Sequence, residues 1–491
     1  MGSRISRLAG ARGDWLDWCT YAVLPATAAA LFAVLSVRIH RAFHSNGWDL
    51  GLISQVIWNT SHGRWFEYSF RDISYAGDHF QPALLLFVPV FAAGGPEGLV
   101  IAQAVLLAAA AVPLALIAAP AGRLAAVAVA VAWLGSLGVA QAVSFDFHVE
   151  AVTPLLAFSA WLGAVRGRPR LLAVMALAIL LTKEDAGLVV LAIAWLAFVR
   201  RRGRRLPFAL AVVAIAYTGV AAGWVVPHFR GPDLNPFAER YAYLGDSPAE
   251  ALRTIVTAPD IVWKQLARGP IVEAAAVLLL GSALLAVTNP WGLPAIALVT
   301  VPAMLSLQET QATLGLHYLL VPSAVMLLVV AEGLRTTPRR VRPFLPALAA
   351  GLVAATVTLW AWRSPLPPSF AADPERFRID EHERLVREFV RTVPPDVRVS
   401  AQSHMVPHLA RRRHIFQFPR VVDAEYVLID DYGPKPIEDL AAGYDACRAA
   451  LPQLGFDLVR ESDGLALWRR ARAAEYVPGV PVWCSGQRPG A

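Results

Sequence analysis

The sequence predicts a mainly α-helical bundle that crosses a membrane many times, followed by a small soluble α/β domain. Of the 491 residues, 56% are hydrophobic and only 16% are charged, whereas about 25% are charged in an average soluble domain. Apolar runs of about 18–20 residues, the length that a helix needs to cross a bilayer, recur along the first three quarters of the chain. These observations exclude a soluble enzyme, a secreted domain and a disordered protein.

The apolar runs predict about eleven membrane spans. They fall near residues 20–37, 99–119, 124–142, 151–165, 171–182, 186–199, 206–226, 271–288, 291–305, 316–333 and 344–362. Residues 82–93 are also apolar but too few to cross the bilayer, so they predict an interfacial or re-entrant helix on the outer face.

Arginine-rich connections predict the orientation of these spans. Arginines cluster within 166–170, 200–205 and 335–342, and short loops of this kind usually lie in the cytoplasm. With eleven spans, the N-terminus is then cytoplasmic and the C-terminal domain lies outside the plasma membrane. The same loops account for much of the net charge of +7, so no nucleic-acid partner is expected. The long outer loops 38–98 and 227–270 are expected to carry function.

The stretch 171–199 is expected to form a helical hairpin. It lies between two arginine clusters that both belong in the cytoplasm, and it is too short for two full crossings of about 20 residues each. Its tip carries Lys183, Glu184 and Asp185. Ionisable groups at membrane depth are costly and are candidates for a functional site, although a self-neutralising pair that only shapes the hairpin remains an alternative. We interpret the three residues as substrate-binding.

The composition changes after Arg363, and this change divides the chain into a membrane domain (1–363) and a soluble α/β domain (364–491). A proline-rich linker is followed by expected strands at 396–402, 414–419 and 425–431, and by two strands around a turn at Asp463-Gly464. Helices are expected at about 380–392 and 436–450. Cys447 and Cys484 lie in an oxidising compartment in this topology, and a disulfide between them is expected.

The first outer loop carries candidate catalytic residues. Asp49 lies in the segment GWDLG just after the first span, and Asp78 and His79 follow before the short outer-face helix. An acid at the boundary between lipid and water can act on a lipid-carried substrate, whereas a solvated loop with interfacial tryptophans is the alternative. We interpret Asp49 as a general base.

A second cluster lies in the segment FDFHVE. Asp146, His148 and Glu150 alternate with apolar residues at the outer end of a span, and carboxylates with an imidazole suit either a divalent metal or acid–base chemistry. They are candidate ligands for Mg²⁺ or Mn²⁺, and Lys183 is the alternative source of positive charge. His317, near the outer start of a later span, is a further candidate for substrate binding.

Four motifs in order resemble one family. The segments WDLGLISQVIWNTSHGRWFE, GDHFQPALLLFVPVF, FDFHVEA and LTKEDAGL are similar to a bacterial family of predicted membrane proteins, domain of unknown function 2079, over roughly residues 45–335. That family resembles a distant branch of the glycosyltransferase C superfamily, whose members take sugars from polyprenyl phosphate carriers. By position, Asp49 matches the acidic residue of the first outer loop of that superfamily, and Asp146 matches a carboxylate of its second outer loop. The segment FDFH departs from the acidic motifs of these enzymes.

The resemblance implies a membrane glycosyltransferase that moves a sugar from a polyprenyl-phosphate donor, itself a membrane lipid, to an acceptor. Two alternatives remain at this point. One is a transporter or lipid flippase with Lys183, Glu184 and Asp185 in an intramembrane pathway. The other is a non-catalytic scaffold that presents the soluble domain.

Overall fold

The computed structural model of the protein describes residues 15–71, 73–201, 203–231, 239–434 and 439–472, together with Cys484. Arg202, which belongs to one of the arginine clusters, lies outside the described residues. So does the C-terminal tail after residue 472, apart from Cys484.

Helices make up most of the chain before the linker. Ala- and Leu-rich segments form them, and several begin with a proline in the first turn, where its missing N–H costs no hydrogen bond. Their bounds are α1 Leu24–Arg41, α2 Leu52–Ser61, α3 Val88–Ala109, α4 Ala111–Ala118, α5 Arg123–Leu134, α6 Leu137–Ser144, α7 Thr153–Val165, α8 Pro169–Leu180, α9 Gly187–Val199, α10 Arg205–Val220, α11 Pro248–Thr257, α12 Pro259–Leu266, α13 Gly269–Gly281, α14 Leu293–Met304, α15 Leu320–Arg335 and α16 Leu345–Arg363.

Within the described ranges, six helical segments are long and apolar enough to cross a membrane: Cys19–Arg41, Pro82–Ala121, Arg123–Ser144, Arg205–Arg230, Glu309–Arg335 and Arg342–Arg363. The shorter apolar helices are Val149–Val165, Pro169–Leu180, Gly187–Val199, Gly269–Gly281 and Pro290–Met304. The expected apolar runs therefore all contain helix. The count of eleven spans stays a prediction, because five of the helices are shorter than a full crossing.

The hairpin expected at 171–199 is confirmed. Helix α8 has 12 residues and α9 has 13, and the two helices contact each other. Residues 181–186 connect them, and the turn carries the Lys-Glu-Asp sequence. Each helix rises roughly 20 Å at about 1.5 Å per residue, less than the roughly 30 Å of a hydrocarbon core.

The short apolar segment before α3 is also a separate element. A 3₁₀ helix, Pro82–Phe87, leads into α3, and α3 is interrupted at Gly95, whose φ is 59° and ψ −147°. Only glycine adopts this backbone conformation readily, and Pro96 follows it. The break separates the first turns of α3 from the long apolar part, as the expectation of a short outer helix requires. Its position at the membrane interface stays a prediction.

The soluble domain has the expected elements. Helix α17 (Glu381–Thr392) begins with a capping box at Asp380. The strands are β1 Val399–Ala401, β2 Ile415–Gln417, β3 Tyr426–Asp430, β4 Phe456–Ser462 and β5 Leu465–Arg470, with helices α18 Val406–Leu409 and α19 Asp439–Ala450 between them.

The five strands form one mixed sheet in the order β2-β1-β3-β5-β4. Strand β1 pairs in parallel with β2 and β3, whereas β5 is antiparallel to β3 and β4. Asp463 and Gly464 both have positive φ, 46° and 76°, which is the conformation of a tight hairpin turn. Cys447 and Cys484 are disulfide-bonded as expected, and Cys19 is free.

One apolar core joins the soluble domain to the outer loops. It combines Leu50 and Ile53 from the first loop, Phe147 from the second, and Phe389 and Val406 from the soluble domain. A separate, larger core fills the helical bundle. The soluble domain therefore packs directly on the outer ends of the helices.

The topology predicts which cysteines an external reagent reaches. Asp185 and Arg201 are both exposed and lie at opposite ends of α9. In a Cys19→Ala background, Asp185→Cys should react with a membrane-impermeant maleimide added outside intact cells, and Arg201→Cys should not. Labelling of Arg201→Cys from outside would overturn the orientation.

Candidate functional site

The candidate residues all lie on connections at one end of the helical bundle. Successive spanning helices run in opposite directions, so alternate connections meet at the same end. The connections concerned are 42–51, 62–87, 145–152, 181–186 and 305–319. The arginine-rich connections lie at the other end. Direct contacts tie the first group together, for example the hydrogen bond from Ala83 N to Leu181 O at 2.9 Å.

Asp49 and His148 form the central pair of this site. Asp49 lies in a π-helical turn, Gly47–Gly51. The carboxylate oxygen Oδ1 of Asp49 lies 3.1 Å from Nε2 of His148. The His148 ring stacks on His317 with 3.7 Å between ring centroids, and its backbone N–H donates to Gln103. Nδ1 of His148 is buried and has no hydrogen-bond partner within the described residues. Asp49 and His148 therefore form an acid–imidazole dyad.

Asp146 holds the loop that carries Asp49. Its Oδ2 accepts the backbone N–H of Asn46 at 2.7 Å. Burial, together with the neighbouring charge of Asp49, raises the pKa of the Asp146 carboxyl. The φ of Asp146 is 47°, a left-handed conformation that Asp tolerates better than most residues.

Two further pairs come from the tip of the hairpin. Lys183 Nζ donates to Glu150 Oε1 at 2.8 Å. Glu184 accepts from the backbone N–H of Phe80 at 3.0 Å, and its other oxygen lies 2.9 Å from Nδ1 of His79. The geometry does not support the alternative in which Lys183 and Glu184 neutralise each other. Each of the two side chains pairs with a residue of a different loop.

Asp78 and Asp185 are placed differently from the rest. Asp78 is buried and accepts from Tyr68 at 3.1 Å and from Arg71 at 2.8 Å, so its carboxylate is already used in holding the first loop together. Asp185 is exposed at the tip of the hairpin. The catalytic role expected for Asp78 and the binding role expected for Asp185 stay predictions.

The expected metal ligands do not fit a metal site in this arrangement. Asp146 is engaged by Asn46, His148 by Asp49 and Glu150 by Lys183. Across the part of the chain that the structure describes, His, Cys, Asp and Glu form no group of three spaced to hold a metal ion. The role of Mg²⁺ or Mn²⁺ stays a prediction.

Sequence reasoning missed a second imidazole–carboxylate cluster, in the soluble domain. Asp430, at the end of β3, lies 3.1 Å from Nε2 of His382 and 3.0 Å from Nε2 of His404. His382 also approaches Asp463 at 3.3 Å. Burial lowers the pKa of His382, but its hydrogen bonds to Asp430 and Asp463 outweigh this and raise it. Burial likewise raises the pKa of Asp430, and the two histidines outweigh this and lower it.

Glu332 was also missed, although an acid inside an apolar run is a signal that could have identified it. It is fully buried near the opposite end of α15. Arg335 donates to both of its oxygens at 2.7 Å, and Trp161 donates at 3.1 Å. These contacts join α7 to α15 far from the candidate site.

The protein has many apolar helices, charged pairs at one end of them, and a soluble α/β domain packed over that end. These features define a multi-pass membrane protein. The chain belongs to the family described as "Predicted membrane protein (DUF2079)", whose model matches residues 39–467. The search of curated proteins finds no match for it.

The chain is similar to two solved structures of ArnT. One is ArnT from Cupriavidus metallidurans bound to undecaprenyl phosphate, at 13% identity and a TM-score of 0.40, covering 93% of this chain and 100% of that one. The other is ArnT from Cupriavidus metallidurans in the apo state, at 15% identity and a TM-score of 0.43, covering 92% and 98%. The match of the family model over residues 39–467 is what shows that the chain belongs to the family.

The partly buried pair Lys183–Glu150 predicts a large loss of stability when one partner is removed. Glu150→Gln removes the carboxylate that pairs with the partly buried ammonium of Lys183, and breaking a pair of this kind costs up to about 3–5 kcal/mol. The unfolding midpoint in detergent should fall accordingly, and Lys183→Met combined with Glu150→Leu should recover most of it. Lys264→Met is the control, since the Lys264–Asp260 pair is exposed and such pairs contribute about 0–1 kcal/mol. An unchanged midpoint for Glu150→Gln would contradict the pairing.

The His382–Asp430 pair predicts a pH-dependent stability. The raised pKa of His382 means that the folded protein binds the proton more tightly, so this contribution is complete below the ordinary histidine pKa of about 6.5. It is lost as the pH rises through the folded value. The midpoint difference between wild type and His382→Gln should therefore be largest between about pH 5 and 6 and should shrink at higher pH. A difference that grows with pH would contradict this assignment.

Proposed function

We propose that the protein is an outer-face membrane glycosyltransferase that moves a sugar from a polyprenyl-phosphate donor to an acceptor hydroxyl. The observation that carries the proposal is the set of acid–base and charged pairs gathered at one end of an apolar bundle. Asp49 with His148, and Lys183 with Glu150, come from three separate segments of the chain. A donor anchored in the bilayer presents its phosphate at such a bundle end.

Asp49 is the general base of this proposal. The acceptor hydroxyl oxygen attacks C1 of the sugar, the bond from C1 to the phosphate oxygen breaks, and the hydroxyl proton passes to Asp49. The carboxylate is partly exposed, whereas His148 behind it is buried. His148 orients Asp49 through the 3.1 Å contact, and stacking on His317 fixes the plane of the imidazole.

Lys183 provides the positive charge for the leaving phosphate. Its ammonium has three N–H donors, and Glu150 accepts one of them. Among the described residues, Glu150 is the acceptor that the ammonium bonds, so the other two donors are left to meet phosphate oxygens. Charge-assisted bonds of this kind are stronger than neutral ones. Glu150 keeps the ammonium neutralised before the donor binds, so the site does not hold an unpaired buried charge.

The transporter alternative is not favoured by these contacts. A transport site must be reachable from both sides of the membrane, and such sites lie near the midplane between repeats. Lys183 and Glu184 are instead bound to loops at the same end as Asp49. We therefore prefer the interpretation that the protein is an active enzyme of the plasma membrane, with its soluble domain on the extracytoplasmic side.

The proposal is tested by release of the carrier lipid. The full chain is reconstituted into liposomes with a series of undecaprenyl-phosphate-linked hexoses and pentoses, and free undecaprenyl phosphate is measured by mass spectrometry. Asp49→Asn should lower the release rate by roughly 10²–10⁴-fold, the usual contribution of a general base. Its unfolding midpoint should stay close to that of wild type.

Asp260→Asn is the matched control, because Asp260 is an exposed surface residue of the second outer loop. It should release the carrier at the wild-type rate. Wild-type release by Asp49→Asn would remove Asp49 as the base. Failure of the wild-type protein to release carrier from every donor would overturn the glycosyltransferase proposal itself.

A further inference from the structure

We infer that the soluble domain holds the turn that carries Asp49, and that Ser403 is a positioning residue for the transfer reaction. The effect on transfer rests on the proposed function, whereas the holding of the turn does not. Ser403 follows β1 in the soluble domain, more than 350 residues after Asp49 in the chain. It acts through the backbone of the turn and does not touch the reacting atoms.

The place of contact is the carboxyl edge of the parallel strands. Strands β1, β2 and β3 run in parallel, and the carboxyl edge of such strands is where open α/β sheets usually bind their ligands. Ser403 lies just after β1, and Gln417 and Asp430 are the last residues of β2 and β3. In this protein the first outer loop occupies part of that edge.

A continuous chain of hydrogen bonds runs from this edge to the membrane domain. The Ser403 hydroxyl donates to the side-chain oxygen of Asn46 at 3.2 Å and accepts the N–H of Gly47 at 3.0 Å. The same Asn46 oxygen accepts the N–H of Trp48 at 2.8 Å, and the N–H of Asn46 donates to Asp146. Three successive amides immediately before Asp49 therefore have fixed acceptors.

Two glycines allow the soluble domain to approach this closely. A Cβ added at Gly47 would clash with Oε1 of Gln417, and one at Gly51 would lie 2.7 Å from Cγ1 of Val406. Gly51 has ordinary helical dihedrals, φ −64° and ψ −53°, so its backbone does not require glycine. The reason for a glycine at this position is the contact with α18 of the soluble domain.

Ring contacts beside the turn add to the attachment. His408 in α18 stacks on His40, near the end of α1, with 4.1 Å between centroids, and it contacts Phe43 at the same distance. The Arg387 side chain donates to the backbone oxygen of Arg41 at 2.8 Å. The turn is thus held on both sides, by α1 before it and by the soluble domain above it.

The hydroxyl of Ser403 is tested in the full chain in lipid nanodiscs. Ser403→Ala should raise amide hydrogen exchange of residues 46–49 by about fivefold, since a hydrogen bond contributes about 1 kcal/mol. It should also lower kcat for carrier release by roughly 10–100-fold with little change in KM, as expected when a catalytic group is misplaced. Ser403→Thr keeps the hydroxyl and should restore both values.

Ser400→Ala is the matched control for this variant. Ser400 is a buried serine in β1 whose hydroxyl bonds to Arg420 O, within the soluble domain. Its loss affects the stability of the domain without touching the Asp49 turn. Exchange of residues 46–49 and kcat should therefore stay at wild-type values.

The close contact between the turn and the soluble domain is tested with a variant and a second substitution that should rescue it. Gly51→Ala should raise exchange in residues 46–51 and lower kcat, because the new methyl group meets Val406. Adding Val406→Ala removes that methyl contact and should restore both. Gly94→Ala is the control, since a Cβ there meets no atom within 4 Å.

The outcomes separate the inference from the proposed function. Unchanged exchange in Ser403→Ala and Gly51→Ala would overturn the inference that the soluble domain holds the turn. Raised exchange with unchanged kcat would overturn the positioning role of Ser403. If the wild-type protein releases no carrier from any donor, the proposed function fails, and raised exchange with rescue still supports the holding of the turn by the soluble domain.

Discussion

Charged side chains buried at the end of an apolar bundle must be neutralised, and the arrangement of the outer loops depends on this constraint. Three pairs of the candidate site each join two different connections: Lys183 with Glu150, Glu184 with His79, and Asp49 with His148. An unpaired buried charge costs several kcal/mol, so every pair fixes the distance between two loops. The chemistry of the site and the packing of the loops therefore have the same physical origin.

Much of the fold can be predicted from patterns that are visible in the sequence. Apolar runs identify helices because the lipid-facing and core-facing surfaces must both be apolar, and a hairpin at 171–199 follows from its length and its flanking arginines. The strands of the soluble domain are short and separated by turn residues, and the Asp463-Gly464 turn lies where expected. The number of complete crossings does not follow, because α7, α8, α9, α13 and α14 are shorter than a bilayer and sequence does not tell how deep they reach.

The residue types of the candidate site could be predicted from the sequence, but the hydrogen-bond partner of each residue could not. Acids, histidines and one lysine in outer loops are visible in the sequence, and ten such residues converge on loops at one end. Their pairing depends on which loops touch, so the interpretation of Asp146, His148 and Glu150 as a joint ligand set did not foresee that each has its own partner. Asn46 and Ser403 had no signal at all, because a polar residue whose partner is hundreds of positions away looks like an ordinary loop residue.

The proline-rich linker marks a change in composition, but the core that contains Leu50, Phe147 and Val406 crosses it. A boundary in sequence is therefore not a boundary of folding in this protein. Residues 364–491 made alone would expose the apolar surface that now covers the first outer loop, and a membrane domain made alone would lose the acceptor of Gly47 N–H. Anyone who engineers this protein gains more by treating the first outer loop and the soluble domain as a single exchangeable unit than by cutting the chain at the linker.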